Sequence, residues 1–226
     1  MNKPVSALGA AIFIAVAASA APAYALDQGD WLVRLRGIIV DPQDSSSGIS
    51  PDLPTAKIGV DSAPTAEVDF SYMFTENIGA ELILASPIHD LKGRDAIAPL
   101  GHIGDAQLLP PVLTVQYHFM PKSWIRPYVG VGVNYTIFFN EDTSNSLNTA
   151  LGGPTKLRID DSVGPAGQAG VDIDVAENVF LNFDIKFVDI QPSARLITGN
   201  TVRHVNVDIN PLIFGQNAIT TLLWNI

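Results

Sequence analysis

The 226-residue chain contains no cysteine, which excludes a disulfide scaffold and any thiolate metal site. Charged residues are scarce, at 16%, and the balance is acidic, with 13 Lys and Arg against 23 Asp and Glu. Bases this few and this scattered make a poor partner for nucleic acid. Beyond the first 25 residues no apolar run is long enough for a membrane helix, so any membrane-crossing part has to be a closed barrel. The four histidines, His89, His102, His118 and His204, show no HExxH spacing. The acids of "DIDVAEN" (172–178) lack a calcium-loop pattern. "GVGVNY" (130–135) has no helix pattern after it and is not a nucleotide fingerprint. No catalytic set, metal site or cofactor site is expected.

What is present starts with a targeting signal. Met1-Asn2-Lys3 gives a short positive start, Val5 to Ala18 is small and apolar, and Ala23-Tyr24-Ala25 fits a small-x-small cleavage site. Residues 1–25 therefore read as a secretory signal peptide, leaving 26–226 as one domain. A secreted domain without disulfides must hold itself together by its own hydrogen bonds and packing, which fits a bacterial envelope protein.

The mature chain is organised by period two. Trp31, Val33, Leu35, Gly37 and Ile39 oppose Arg34 and Arg36. Ala66, Val68, Phe70, Tyr72 and Phe74 oppose Thr65, Glu67, Asp69 and Ser71. A third strand, about 78–89, sets Ala80, Leu82 and Leu84 against Gly79, Glu81 and Ile83. A fourth, about 108–119, sets Leu113, Val115, Tyr117 and Phe119 against Thr114, Gln116 and His118. In "RPYVGVGVNYTIFF" (126–139), Val129, Val131, Val133, Tyr135 and Ile137 oppose Gly130, Gly132, Asn134 and Thr136. A sixth, about 162–175, sets Ala169, Val171, Ile173 and Val175 against Gln168, Gly170, Asp172 and Asp174. A seventh, about 179–191, sets Leu181, Phe183, Ile185 and Phe187 against Asn182, Asp184 and Lys186. The eighth is expected to begin near Val205, with Val205, Val207 and Ile209 opposite Asn206, Asp208 and Asn210.

Short links at 75–77, 120–123 and 176–178 alternate with long ones at about 41–64, 91–107, 140–161 and 192–204, the third with room for a short helix. Short turns at one rim and long loops at the other suit an outer-membrane barrel. A soluble β-sandwich also alternates, with its apolar side inward. Three features favour the barrel. Gly130, Gly132, Gly164 and Gly170 on the polar face relieve crowding in a narrow lumen. The polar face carries both signs, Arg34, Arg36 and Lys186 against Glu67, Asp69, Glu81, Asp172, Asp174, Asp184 and Asp208. Trp31, Tyr72, Phe74, Tyr117, Phe119, Trp124, Tyr128 and Phe180 gather near the short turns as an interfacial girdle does. The expected fold is all-β, an eight-stranded antiparallel transmembrane barrel with short periplasmic turns and long extracellular loops.

The blocks "WLVR" (31–34), "FSYMFTENIGAELILASPIHD" (70–90), "LPPVLTVQYHF" (109–119), "RPYVGVGVNYTIFF", "DSVGPAGQAGVDIDV" (161–175) and "VNVDINPLIFG" (205–215), in this order and spacing, resemble the OmpW family of small outer-membrane proteins of Gram-negative bacteria. The resemblance spans almost the whole mature chain. It implies a lumen that is hydrophobic toward the outside and closed by polar residues toward the periplasm, letting small hydrophobic molecules enter and leave sideways into the bilayer, past the lipopolysaccharide layer. Candidates for the polar plug are Arg34, Glu67, Asp69, Glu81, Gln116, His118, Gln168 and Asp184. Candidates for the apolar mouth are Pro99, Leu100, Leu108, Leu109, Pro110, Ile137 and Phe139. The implied partners are outer-membrane lipid, lipopolysaccharide, small hydrophobic molecules and the barrel-assembly machinery; the oligomeric state is left open. The alternative is a structural or surface-interaction barrel with a closed polar core. The chain departs from the family after Gly215, where "QNAITTLLWNI" has poor parity and ends on Ile226 rather than an aromatic, with Trp224 two residues early. Divergence and a reading-frame change both fit that departure, which puts the closing strand in question.

Overall fold

The computed structural model describes residues 25–176 and 178–223, with 216–223 described through backbone pairing alone. Apart from Ala25, the expected signal peptide lies outside the described residues, as does Trp224. The strands are β1 (Trp31–Asp41), β2 (Ser45–Ser46), β3 (Ala56–Val60), β4 (Ala63–Met73), β5 (Ile78–Ala85), β6 (Ile88–Asp95), β7 (His102–Leu109), β8 (Val112–His118), β9 (Ile125–Thr143), β10 (Thr155–Ile159), β11 (Ser162–Ala176), β12 (Val179–Val188), β13 (Ser193–Thr198), β14 (Thr201–Asp208) and β15 (Leu212–Leu223). One helix, α1 (Asn145–Ala150), occupies the 140–161 link, started by Ser144, whose hydroxyl accepts from the Leu147 amide at 3.2 Å.

Eight strands close the barrel in the order β1-β4-β5-β8-β9-β11-β12-β15, and β15 returns to β1 with Leu212 opposite Asp41 and Leu223 opposite Trp31. Closure leaves no strand of the barrel unpaired on either side. The eighth barrel strand is thus Leu212–Leu223, through the segment whose parity is poor. The expected strand near Val205 belongs elsewhere: β14 pairs with β13 and β2 outside the barrel, in the sheet β10-β13-β14-β2. Val205 and Val207, with Ile209 just beyond, are buried; they line an apolar interior rather than face lipid, and alternation looks the same in both settings.

The outward face is greasy. Val129, Val131, Val133 and Tyr135 are exposed, Val131 at 72%, whereas Arg34, Asp69, Glu81, His118 and Thr136 are 0% exposed. This arrangement is that of a barrel in lipid, inverted from a soluble sheet. Trp31, Phe74, Tyr117, Phe119 and Trp124 are exposed near the short turns, with Tyr72 packed between Trp31 and Phe74 at ring distances of 5.1 and 5.3 Å. Tyr128 and Phe180 are the exceptions to the expected girdle. Each is only 1% exposed, because Tyr128 shares the inward parity of Gly130 and Gly132, and Phe180 that of Asn182 and Asp184.

The barrel is taller than the membrane. β9 alone has 19 residues, about 60 Å at ~3.3 Å per residue, against a hydrocarbon core of about 30 Å. Its upper end pairs with β7, which continues to β6 and β3. This arm and the four-stranded sheet enclose an extracellular extension around Ile58, Leu91, Phe138, Leu157, Leu196 and Val205. The interior is therefore layered, and β1 spells the layers on its inward positions: Leu32, then Arg34 and Arg36, then Ile38 and Val40. Leu32 packs with Leu26, Met73 and Phe180 at the periplasmic end.

Candidate functional site

The polar layer is built by strands that each contribute alternate residues. Arg34 Nη1 meets Glu81 Oε1 and Ser71 Oγ, both at 2.7 Å, and its Nη2 meets Asp172 Oδ2 at 3.1 Å. Its guanidinium also lies 5.4 Å from the Tyr128 ring centre and 5.6 Å from that of Phe180. One turn of parity outward, Arg36 Nη1 reaches Glu67 at 2.8 Å, Asp69 at 3.0 Å and Asp184 at 3.1 Å. Lys186 Nζ bridges Glu67 and Asp184 at 2.7 Å each. On the far wall Gln116 and Gln168 each donate from Nε2 to Glu81 Oε2, at 2.7 and 2.8 Å. His118 Nε2 lies 3.2 Å from Gln116 Oε1 and its ring stacks on Tyr128. Asn182 Nδ2 donates to Asp172 Oδ1 at 2.7 Å and to the Tyr128 hydroxyl at 3.0 Å. Below them Arg126 pairs with Asp174 at 2.5 Å.

All eight residues singled out for a plug, Arg34, Glu67, Asp69, Glu81, Gln116, His118, Gln168 and Asp184, meet in this layer and are buried. Arg36, Asp172 and Lys186 join them, as their alternation allowed. Arg126 and Tyr128 were not singled out, although both share the inward parity of the neighbouring glycines. Asp208 lies in the extracellular sheet instead. Two glycines make room: a Cβ on Gly130 would stand 2.9 Å from Gln168 Cγ and Nε2, and one on Gly170 would stand 2.5 Å from the Tyr128 hydroxyl.

Above the polar layer are two narrow apolar cavities. The lower, about 30 Å³, has Glu67 and Lys186 as its floor and walls of Ile38, Val40, Ile83, Val112, Val188 and Ile213, with Pro87, Pro110 and Pro211 around it. The upper, about 40 Å³, lies within the extension against Ile58, Leu91, Phe138, Leu157 and Val207. His89, Leu108 and Ile209 line both. Of the residues singled out for the mouth, Leu108 and Pro110 line these cavities. Leu100 packs against the apolar core from the 3-10 turn Ala98–Leu100, in which Pro99 is exposed. Leu109, Ile137 and Phe139 take the outward parity, and Phe138 occupies the inward place.

The wall beside the lower cavity is interrupted. The β4–β5 ladder stops at Glu67 opposite Ala85, although β4 runs on to Ala63. The next backbone hydrogen bond between the two segments, among the described residues, is Asp61 N to Asp90 O at 3.1 Å. Between these points 62–66 faces 86–89 without a ladder. Pro64 and Pro87 supply the reason, since neither has an N–H to donate. Pro87 itself lines the lower cavity. At the outer end of the gap the buried His89 ring bonds through Nδ1 to Asp61 O at 2.8 Å.

One cluster has metal-ligand chemistry: Asp90, His102 and Asp105 place donor atoms within 4.8 Å of one another on the outer side of β6 and β7. Asp90 and His102 are exposed, and the His102–Asp105 contact of 3.0 Å already engages two of the three.

Comparison with known proteins places this layered barrel. The OmpW family model matches residues 27–218. Outer membrane protein W of Vibrio cholerae is 36% identical over 205 residues, covering 89% of this chain and 92% of the relative. The crystal structure of OprG from Pseudomonas aeruginosa superposes with a TM-score of 0.81 at 31% identity, covering 88% of this chain and 98% of that one. A more distant relative, 26% identical over 64% of this chain and 65% of its own length, is a dibenzothiophene metabolism operon protein of Pseudomonas aeruginosa. The chain belongs to the OmpW family of outer-membrane β-barrels.

Proposed function

We propose that this barrel passes small hydrophobic molecules from outside into the bilayer, by way of the apolar cavities and the interrupted wall, with the polar layer as the plug that stops them reaching the periplasm. The observation that carries the reading is the coincidence of three features at one height. An apolar cavity ends on the Glu67–Lys186 floor, and the β4–β5 ladder breaks beside it. Pro87 belongs to both. A molecule held there has a charged layer beneath it and a greasy exit beside it. Passing an apolar solute through the layer would separate buried paired charges, which is costly, so the sideways route is the easier one. The dibenzothiophene operon relative adds support for an apolar solute. The small size of both cavities favours the second reading, a closed structural barrel, and the two differ in what they let through.

Uptake by whole cells, with and without the protein, separates them. Labelled n-octane is expected to enter faster with the protein present, with no gain for glucose. Equal octane entry in both strains would leave the closed barrel as the better reading.

A further inference from the structure

The upper cavity has a single polar side chain among its described lining residues, and that side chain is His89. His89 also lines the lower cavity, whose other polar groups, Glu67 and Lys186, are engaged with each other at 2.7 Å. The ring is only 2% exposed and, with Leu108 and Ile209, it lines both chambers. Its hydrogen bonding is half used. Nδ1 lies 2.8 Å from the Asp61 backbone oxygen, and a carbonyl oxygen only accepts, so Nδ1 carries the proton in that bond. In the neutral ring Nε2 is then an acceptor, and no protein group among the described residues fills it. Burial pushes the imidazole below its ordinary range, against the backbone bond and the nearby acids Asp90 and Asp61, which favour the charged form. The remaining lining residues of the upper cavity, such as Ile58, Leu91 and Phe138, can offer only dispersion contacts.

We propose that His89 is a specificity-determining residue of the passage, and that through Nε2 it favours solutes carrying one hydrogen-bond donor on an apolar body, such as a medium-chain alcohol, over the plain hydrocarbon of the same length. This inference rests on the passage reading and deepens it by naming the solute class. The reason is an asymmetry of hydrogen bonding. A hydroxyl entering an apolar throat loses its water and regains one partner at His89, whereas without that partner the loss stands uncompensated. A hydrocarbon gains nothing from the imidazole and pays for displacing whatever hydrates it.

The test compares labelled 1-octanol and n-octane entering cells that carry the full-length protein, wild type, His89→Leu or His89→Gln. Entry by each solute is corrected for cells lacking the barrel. His89→Leu is expected to lower the octanol-to-octane ratio about fivefold, the worth of one ordinary hydrogen bond. His89→Gln, which keeps an acceptor and can still donate to Asp61 O, is expected to restore most of it. A merely structural role would depress both solutes together and leave the ratio unchanged. If His89→Leu does not assemble, His89→Met provides the same comparison. An unchanged ratio in the apolar variants, with octane still entering, overturns the role of His89 while leaving the passage intact. Failure of both solutes to enter through the wild-type barrel overturns the passage and this inference with it.

Discussion

Glu81 is the hub of the polar layer, and its removal gives the layer's most informative perturbation. Its two oxygens accept from Arg34 Nη1 at 2.7 Å, Ser71 Oγ at 3.2 Å, Gln116 Nε2 at 2.7 Å and Gln168 Nε2 at 2.8 Å, all in a side chain with no exposure. Glu81→Leu removes this acceptor from all four donors, although Gln168 Nε2 keeps Thr114 Oγ1 and Arg34 Nη1 keeps Ser71 Oγ, and takes from Arg34 the nearer of its two carboxylates, the other being Asp172 at 3.1 Å. Breaking a buried pair from one side costs about 3–5 kcal/mol. Arg34→Met takes the nearest cation from Glu81 and Asp172, leaving Glu81 its hydroxyl and amide donors and Asp172 the Asn182 amide, at a similar cost. Removing both partners together is far milder than the sum, because a whole buried pair replaced by apolar groups is often close to neutral. The double-mutant cycle should therefore show a coupling of at least about 2 kcal/mol. The assay is equilibrium urea unfolding of the full chain in lipid vesicles, followed by tryptophan fluorescence. Single variants costing under about 1 kcal/mol each, with additive effects, would mean that the layer is hydrated and loose and does not seal the lumen.

Two further outcomes are expected. Val131→Arg, at an outward position 72% exposed, should destabilise the barrel in vesicles by about 2–4 kcal/mol, as a charge facing the bilayer midplane does; a change within about 0.5 kcal/mol, normal for a surface site in water, would contradict the inside-out assignment. Because burial lowers the His89 pKa, the unfolded chain takes up the proton first, so this residue's contribution is intact above about pH 6.5 and is lost as the pH falls below that toward the folded value. Urea midpoints at about pH 7.5 and about pH 5 should differ less in His89→Gln than in wild type, and an identical difference would remove His89 from the linkage.

Seven of the eight barrel strands were legible because each repeats a period of two over enough residues to fix which side is polar. Arg34 and Arg36 in β1 and Asp184 and Lys186 in β12 identified the lumen side directly. The eighth strand was misplaced for a physical reason. Val205, Val207 and Ile209 alternate just as a lipid-facing strand does, yet they line the extension, where the apolar side points inward. The sign of the pattern depends on what surrounds the sheet, and nothing local to β14 carries it. The true β15 closes on β1 through backbone pairing that is indifferent to side-chain parity. Composition alone puts Tyr128 and Phe180 in the girdle, since aromatics near short turns suit one, whereas their parity with Gly130 and Asn182 puts them inside. The wall gap and the throat at His89 were out of reach, because they depend on where a ladder stops and on two segments distant in sequence. Pro64 and Pro87 were visible, but a proline in a strand signals a missing donor without saying which neighbour goes unpaired.

A chain with no cysteine of its own lets the proposed lateral route be tested by a reversible crosslink. Ala66 and Ser86 are the first residues past the last ladder pair, Glu67 and Ala85, and both are exposed, so a disulfide between them would draw the interrupted wall together. With Ala66→Cys and Ser86→Cys in one barrel, octane uptake is expected to fall to the level of cells lacking the protein on oxidation and to recover with reductant. Undiminished uptake through the fully oxidised barrel would contradict the sideways exit.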